Sequence, residues 1–160
     1  MDRVRRELSA PSRRVRKPAS GRGQLLFVYG TLRPFVDIPM ARWLRSVATH
    51  AGTARVRGRL YDLGPYPGLR PARRRDEWVT GELYLVGAKA LRVLDRYEAG
   101  DGRGAPRFAR KRCEVELTQS RSSSAWVYLY QRVVHPQSRI PSGDYRPTLR
   151  SRSQFGDRSR

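Results

Sequence analysis

Apolar and polar positions alternate along the chain from Gln24 to Gln131, and large apolar side chains are sparse on either side of that stretch. Gln24–Gly30 (QLLFVYG) is a short β-branched and aromatic run closed by glycine, which predicts a buried strand. Thr31–Pro39 holds two prolines and predicts an irregular segment. In Met40–Val47, Met40, Trp43, Leu44 and Val47 recur at helical spacing, predicting a short amphipathic helix. Thr49–Leu63 alternates throughout. It predicts one continuous strand with Val56, Gly58 and Leu60 inward and Arg55, Arg57 and Arg59 toward solvent. Gly64–Gly68 (GPYPG) predicts a turn, and Arg73-Arg74-Arg75 an exposed loop. Glu77–Val86 predicts a further strand, and Ala88–Tyr97 a helix stopped near Gly100. Arg107–Leu117 and Ala125–Gln131 predict two last strands joined by a serine-rich hairpin loop.

Five or so strands with two short helices and no strict βαβ alternation argue against a doubly wound parallel sheet. The expected architecture is α+β: a compact, largely antiparallel curled sheet or small β-barrel with short flanking helices. The length of 160 residues fits a single domain. The expected division is a domain over residues 24–145 between disordered basic tails at 1–23 and 146–160.

The formal net charge is +20, from 34 Lys+Arg against 14 Asp+Glu. It is spread along the chain, and its only lysines are Lys17, Lys89 and Lys111. The favoured reading is the codon usage of a G/C-rich bacterial genome. A nucleic-acid or acidic-surface partner is the competing one, since spread arginine neutralises phosphate well. Tyr66 and Trp78 beside Arg73–Arg75 fit that rival, because aromatic residues among basic ones can stack bases. Against it stands the lack of a nucleic-acid-binding motif. The single cysteine, Cys113, allows no internal disulfide and reads as a small buried strand residue. No apolar run approaches the roughly 20 residues of a membrane span. The arginine-rich start lacks the apolar centre of a secretory signal, and a cytoplasmic location is expected.

Two segments can carry chemistry. In Val28–Leu32 a glycine closes a strand, so successive backbone amides can face outward and bind an anion, or the turn is simply structural. In Leu94–Gly100 (LDRYEAG), Asp95 and Glu98 lie one helical turn apart at a helix end. There the dipole raises a carboxylate's proton affinity, a useful state for a general acid or base. The alternative is surface pairing of both with Arg92, Arg96 or Arg103. Tyr128 and Tyr130 alternate with Val127 and Leu129 on the last strand. His50 and His135 accompany no nucleophile motif. No phosphate-cradling loop or metal-ligand spacing occurs, so neither a metal nor a cofactor is expected.

The ordered series LLFVYGTLRP, RVRGRLYDLGPYPGLRP, VTGELYLV, LRVLDRYEAG, PRFARKRCEVEL and AWVYLY resembles the γ-glutamylcyclotransferase-like family over about residues 24–145. The resemblance implies a small mixed, mostly antiparallel β-barrel with flanking helices. It also implies an enzyme that cyclises a γ-glutamyl group of a small amine or peptide substrate to 5-oxoproline, releasing the amine. On that resemblance the loop Tyr29, Gly30, Thr31, Leu32 binds the γ-glutamyl head, Glu98 is the catalytic acid/base, and Tyr128 is the late-strand tyrosine. Asp95 is expected to cap or pair structurally. The chain departs from the family at Glu98-Ala99, where Glu-Gly is frequent, and at Phe108-Ala109-Arg110, where Tyr-x-Arg is frequent.

Overall fold

The computed structural model describes residues 23–100, 102–118 and 121–147. Apart from Gly23, Arg146 and Pro147, the tails expected at either end lie outside the described residues. Among the described residues seven strands and two α-helices follow in order: β1 Gln24–Val28, α1 Pro39–Val47, β2 Thr49–Arg57, β3 Arg59–Asp62, β4 Pro67–Arg70, β5 Trp78–Val86, α2 Ala88–Ala99, β6 Phe108–Thr118 and β7 Arg121–Tyr130, with a 3-10 turn at Pro136–Ser138. Five strands close a barrel in the order β1-β5-β2-β6-β7, and β3 and β4 form a separate two-stranded sheet. The closing pair, β1 with β7, is parallel at Leu26–Trp126 and Phe27–Val127, whereas the other pairings are antiparallel. The barrel is therefore mixed and mostly antiparallel, with two flanking helices, as expected. Among the described residues no helix is long and apolar enough to cross a membrane.

Strand β1 is apolar at successive positions because both its faces are covered. Phe27 points into the barrel with Val56, Val79, Leu83, Val115 and Val127. Leu26 and Val28 point outward beneath Leu44 of α1 and Ala90, Leu91 and Leu94 of α2. Leu44 and Leu94 are wholly buried, and each such leucine contributes roughly 1.5–3 kcal/mol. Helix α1 begins one residue earlier than its apolar pattern, with Pro39 in the first turn, where its missing N–H is no loss.

The continuous strand expected over 49–63 is broken at Gly58. Beyond Arg57 the chain leaves the barrel, and β3 pairs with β4 instead of β5. A Cβ at Gly58 would lie 2.5 Å from Leu69 Cδ1 and 3.0 Å from the Arg70 carbonyl, so the departure needs glycine. Pro67 and Gly68, expected in a turn, begin β4; the tight part of the turn is Leu63–Tyr66, closed by the Leu63 amide donating to the Tyr66 carbonyl at 3.0 Å. Arg59, expected in solvent, is buried: its Nε donates to the Pro71 carbonyl at 2.9 Å and its Nη1 to the Tyr61 hydroxyl at 2.8 Å. Arg55 and Arg57 do face outward. The serine run expected in a loop belongs to β7, where Ser122, Ser123 and Ser124 pair with Glu116, Val115 and Glu114. Cys113 is half-buried on β6 against the barrel core.

One buried charge fixes the segment that follows β1. The Arg33 amide donates to the Gly30 carbonyl at 3.1 Å, closing a turn. The Arg33 side chain, 2 % exposed as a residue, grips Glu82 of β5 with two bonds of 2.8 and 2.9 Å. Its Nη1 also reaches the Asp144 carboxylate and, at 3.2 Å, the Tyr145 carbonyl. Replacing Arg33 by methionine leaves Glu82 in the interior without its cation. The unfolding free energy from urea titration is expected to fall by about 3–5 kcal/mol; a loss under about 1 kcal/mol would show that the pair does not hold the turn.

Candidate functional site

Glu98 lies in the last turn of α2, which runs to Ala99 before Gly100 ends it with φ 90°. Asp95, one turn earlier, is fully engaged. Its Oδ1 accepts from Arg110 Nε at 2.8 Å and from the Tyr128 hydroxyl at 2.8 Å, and its Oδ2 from Arg110 Nη2 at 3.0 Å. Glu98 has no hydrogen-bonding or ionic partner among the described residues. The residue keeps partial exposure, but its carboxyl is withdrawn from water, and burial alone pushes its pKa up to about 7. Desolvation thus does what the helix dipole was expected to do. In place of the surface pairing weighed for both acids, Asp95 pairs with Arg110 from β6.

The turn after β1 forms the facing wall. Tyr29, Gly30, Thr31, Leu32, Tyr128 and Glu98 line one cavity with about 30 Å³ open to water, so every site residue expected from the sequence meets there. The amides of Gly30, Thr31 and Leu32 find no protein acceptor among the described residues. Gly30 is required by close approach: a Cβ there would lie 2.7 Å from Pro67 of β4. The Tyr29 side chain has a different task from its backbone. Its hydroxyl donates to the Tyr128 carbonyl at 2.7 Å and accepts from the Leu69 amide at 3.3 Å, stitching the β3–β4 hairpin to β7. Burial first, and the nearby Glu98 charge second, push its pKa well above the ordinary tyrosine value. Burial first, then the bond to Asp95, raises that of Tyr128 likewise.

A second cavity of about 180 Å³ shares Thr31 and Glu98 with the first and extends between Tyr66, Tyr97 and Arg107. The sequence pattern did not single out Arg107. It stands at the end of a loop, and only the three-dimensional closure of that loop, with the Arg107 amide donating to the Ala99 carbonyl at 3.3 Å, returns it to the helix end beside Glu98. Phe108, where the family often carries tyrosine, stacks edgewise on Tyr66 at 5.7 Å and against Tyr130 at 5.3 Å.

The aromatic residues considered as base-stacking platforms are occupied. Trp78 is covered by the guanidinium groups of Arg55 and Arg57 at 4.1 and 4.4 Å from its ring centre, and Tyr66 is packed on Phe108 in the second cavity. Nothing in this geometry supports a nucleic-acid partner.

Comparison with known proteins identifies relatives of the chain. A profile of the family described as "Gamma-glutamyl cyclotransferase, AIG2-like" matches residues 26–147. The gamma-glutamylcyclotransferase family protein YtfP of Escherichia coli is 32% identical over 120 residues, covering 75% of this chain and 94% of that protein. The protein of the same name from Citrobacter rodentium is also 32% identical over 120 residues, with 75% and 93% coverage. Among solved structures, an AIG2-like protein from Mus musculus shares the fold with a TM-score of 0.61 and 23% identity, over 78% of this chain and 88% of that one.

A buried carboxyl with raised proton affinity works against stability. The folded state binds the Glu98 proton more tightly than the unfolded chain, whose glutamate titrates near 4.5, so stability falls as pH rises from there to about 7. Glu98→Gln should therefore stabilise the protein above pH 7 by at most about 3 kcal/mol, and flatten that part of the pH–stability curve measured by denaturation. Equal stability of the two proteins at pH 5 and pH 8 would contradict the burial. Tyr29→Phe should lose about 1–2 kcal/mol, since the Leu69 amide is left without an acceptor.

Proposed function

This chain belongs to the γ-glutamyl cyclotransferase, AIG2-like family, and from that premise we propose that it closes a γ-glutamyl group into 5-oxoproline with Glu98 as the proton carrier. The carrying observation is the unpartnered, buried Glu98 carboxyl in one cavity with the turn Tyr29–Leu32.

In this reaction the nucleophile is already attached to the electrophile. The substrate's α-amino nitrogen attacks its own γ-carbonyl carbon, a C–N bond forms to close a five-membered ring, and the bond to the departing amine breaks. No acyl-enzyme is needed, which fits a site with no Ser–His or Cys–His arrangement. The protein's first task is to hold the chain folded so that the two atoms meet, and such positioning can supply a large part of the barrier reduction. The free amides of Gly30, Thr31 and Leu32 offer donors to the γ-carbonyl oxygen as it gains charge, or to the substrate carboxylate. One such donor is worth on the order of 3 kcal/mol.

The second task is moving a proton. The α-ammonium must lose one before it can attack, and the leaving nitrogen must gain one before it departs. Glu98, poised near 7, can accept the first and deliver the second. Tyr128, fixed by Asp95 and Arg110, walls the cavity and keeps the folded substrate against the turn. Asp95 therefore acts as a positioning group, because its oxygens are taken by Arg110 and Tyr128.

Glu98→Gln, with the fold checked by circular dichroism, is expected to lower 5-oxoproline release from γ-glutamyl amides about 10²–10⁴-fold. Asp95→Asn should cost markedly less and act mainly through KM. Because Glu98 must start ionised, kcat/KM of the unmodified protein should fall as pH drops through about 7. Full activity of Glu98→Gln would remove this residue from the chemistry.

A further inference from the structure

Two arginines are buried among the described residues, and their surroundings differ. Arg33 meets the carboxylates of Glu82 and Asp144. Arg59, 7 % exposed, pairs with no carboxylate among the described residues. Its Nε is spent on the Pro71 carbonyl and its Nη1 on the Tyr61 hydroxyl, which leaves Nη2 without a partner. A cation withdrawn from water without a counter-charge is costly.

Its neighbours add to the positive charge. Arg70 stands directly opposite Arg59 in the β3–β4 pairing, and like charges so placed repel. Arg70 Nη1 donates to the Tyr130 carbonyl at 3.0 Å, while its Nε is buried with no acceptor. Arg139, bridged to Tyr61 on the other edge of β3, is a third cation. Its guanidinium and that of Arg59 both lie 5.7 Å from the centre of the Tyr61 ring, and its Nε is likewise buried and unbonded.

Glu77 is the carboxylate that faces this group. Its Oε1 lies 3.6 Å from Arg139 Nη2, too far for a hydrogen bond, and its Oε2 accepts from the amides of Arg73 and Arg74 at 2.6 and 3.0 Å. Those amides first, and the Arg139 and Arg59 charges after them, hold the Glu77 carboxyl below its ordinary pKa, so both guanidinium groups bear on it. Three cations thus share one acid whose oxygens are already largely engaged. Arg70 and Arg139 are only part-buried, and the group reaches solvent through them.

We infer that Arg59, Arg70 and Arg139 form a binding site for a small oxyanion of the phosphate class, on the β3–β4 hairpin and apart from the cavities that Glu98 lines. Guanidinium N–H groups match the oxygens of such an anion in geometry and charge. Arg59 Nη2, Arg70 Nε and Arg139 Nε are the donors left for it, and its charge offsets the repulsion between Arg59 and Arg70. Bound there, it ties together the two strands of the hairpin that sets Pro67 beside Gly30 and the Leu69 amide on the Tyr29 hydroxyl.

The probes are inorganic phosphate and ethyl phosphate, titrated calorimetrically into the wild-type protein in a chloride buffer of fixed ionic strength. Inorganic phosphate should bind at one saturable site and raise Tm. Arg70→Gln and Arg139→Gln, part-exposed positions whose fold circular dichroism checks, should each weaken binding about tenfold or more. Arg92→Gln, which removes an exposed cation of α2, should leave it unchanged. Ethyl phosphate binding as well as inorganic phosphate supports a site for the phosphate of a larger molecule, and its exclusion supports a site for the free ion. Heat that does not saturate, or binding that survives both Arg70→Gln and Arg139→Gln, would mean that phosphate is drawn only by the net charge of +20 and would overturn the inference. Binding is read without turnover, so its outcome is independent of the ring-closure reading.

Discussion

Arg33 carries a full positive charge to a place almost without water, one residue beyond the turn that floors the site. A buried cation is tolerated only when carboxylates and carbonyls surround it, so its position dictates where other segments go. Glu82 must come from the middle of β5, and Asp144 and Tyr145 must come from the far end of the described chain. Gly81, next to Glu82, leaves room for the Val28 carbonyl, which a side chain there would overlap. Replacing such an ion pair with apolar residues can be neutral for stability, so its contribution is largely one of place. Here it fixes the backbone of Gly30–Leu32 with amides free.

Against that background the isolation of Glu98 is a property of geometry. The chain has 34 basic residues and 14 acidic ones, so an acid without an arginine beside it is the less expected outcome. Arg110 is spent on Asp95, Arg33 on Glu82 and Arg55 on Glu116, and Arg107 donates to the Tyr66 hydroxyl without pairing with Glu98. Asp95 and Glu98 are three residues apart on the same helix, yet Asp95 is held by a guanidinium and Glu98 forms no ion pair among the described residues. A neighbouring cation would pull the Glu98 pKa down and leave a carboxylate with little proton affinity. Withholding the cation gives two acids on one helix face different roles.

Much of this was legible in the chain because period-2 alternation and helical spacing report burial directly. The strand of Leu25–Val28, both helices, and the split of Trp126, Tyr128 and Tyr130 from Val127 and Leu129 follow those patterns, whereas the meeting of Glu98 with the turn after β1 was implied only by the family resemblance. The misreadings have physical causes. At Gly58 the alternation stays in phase, with Val56 and Leu60 on either side, so periodicity could not reveal that the strand changes partners. Arg59 inherited an outward assignment from that phase, although the β3–β4 hairpin buries it under Pro71 and Tyr61. The serines of β7 carry little β propensity, and they join the sheet because β6 opposite them is long enough to pair. Arg107 was invisible for another reason: its place beside Glu98 depends on closure of the loop after α2, a tertiary contact with no local signal.

The β3–β4 hairpin shows how the site is kept despite its cost. An acid whose folded form prefers its proton lowers stability at neutral pH, so the fold must supply compensation elsewhere. The hairpin supplies some of it at the site itself. Pro67 fills the space beside Gly30, and the Tyr29 hydroxyl bonds both to Leu69 of the hairpin and to the Tyr128 carbonyl of β7. Those contacts stabilise the protein and hold Tyr29 and Tyr128, two walls of the cavity that Glu98 enters. Tyr29 thus both lines the cavity around Glu98 and ties the hairpin to the barrel. Loosening the hairpin would restore solvation of the carboxyl and lower its pKa toward that of an ordinary glutamate.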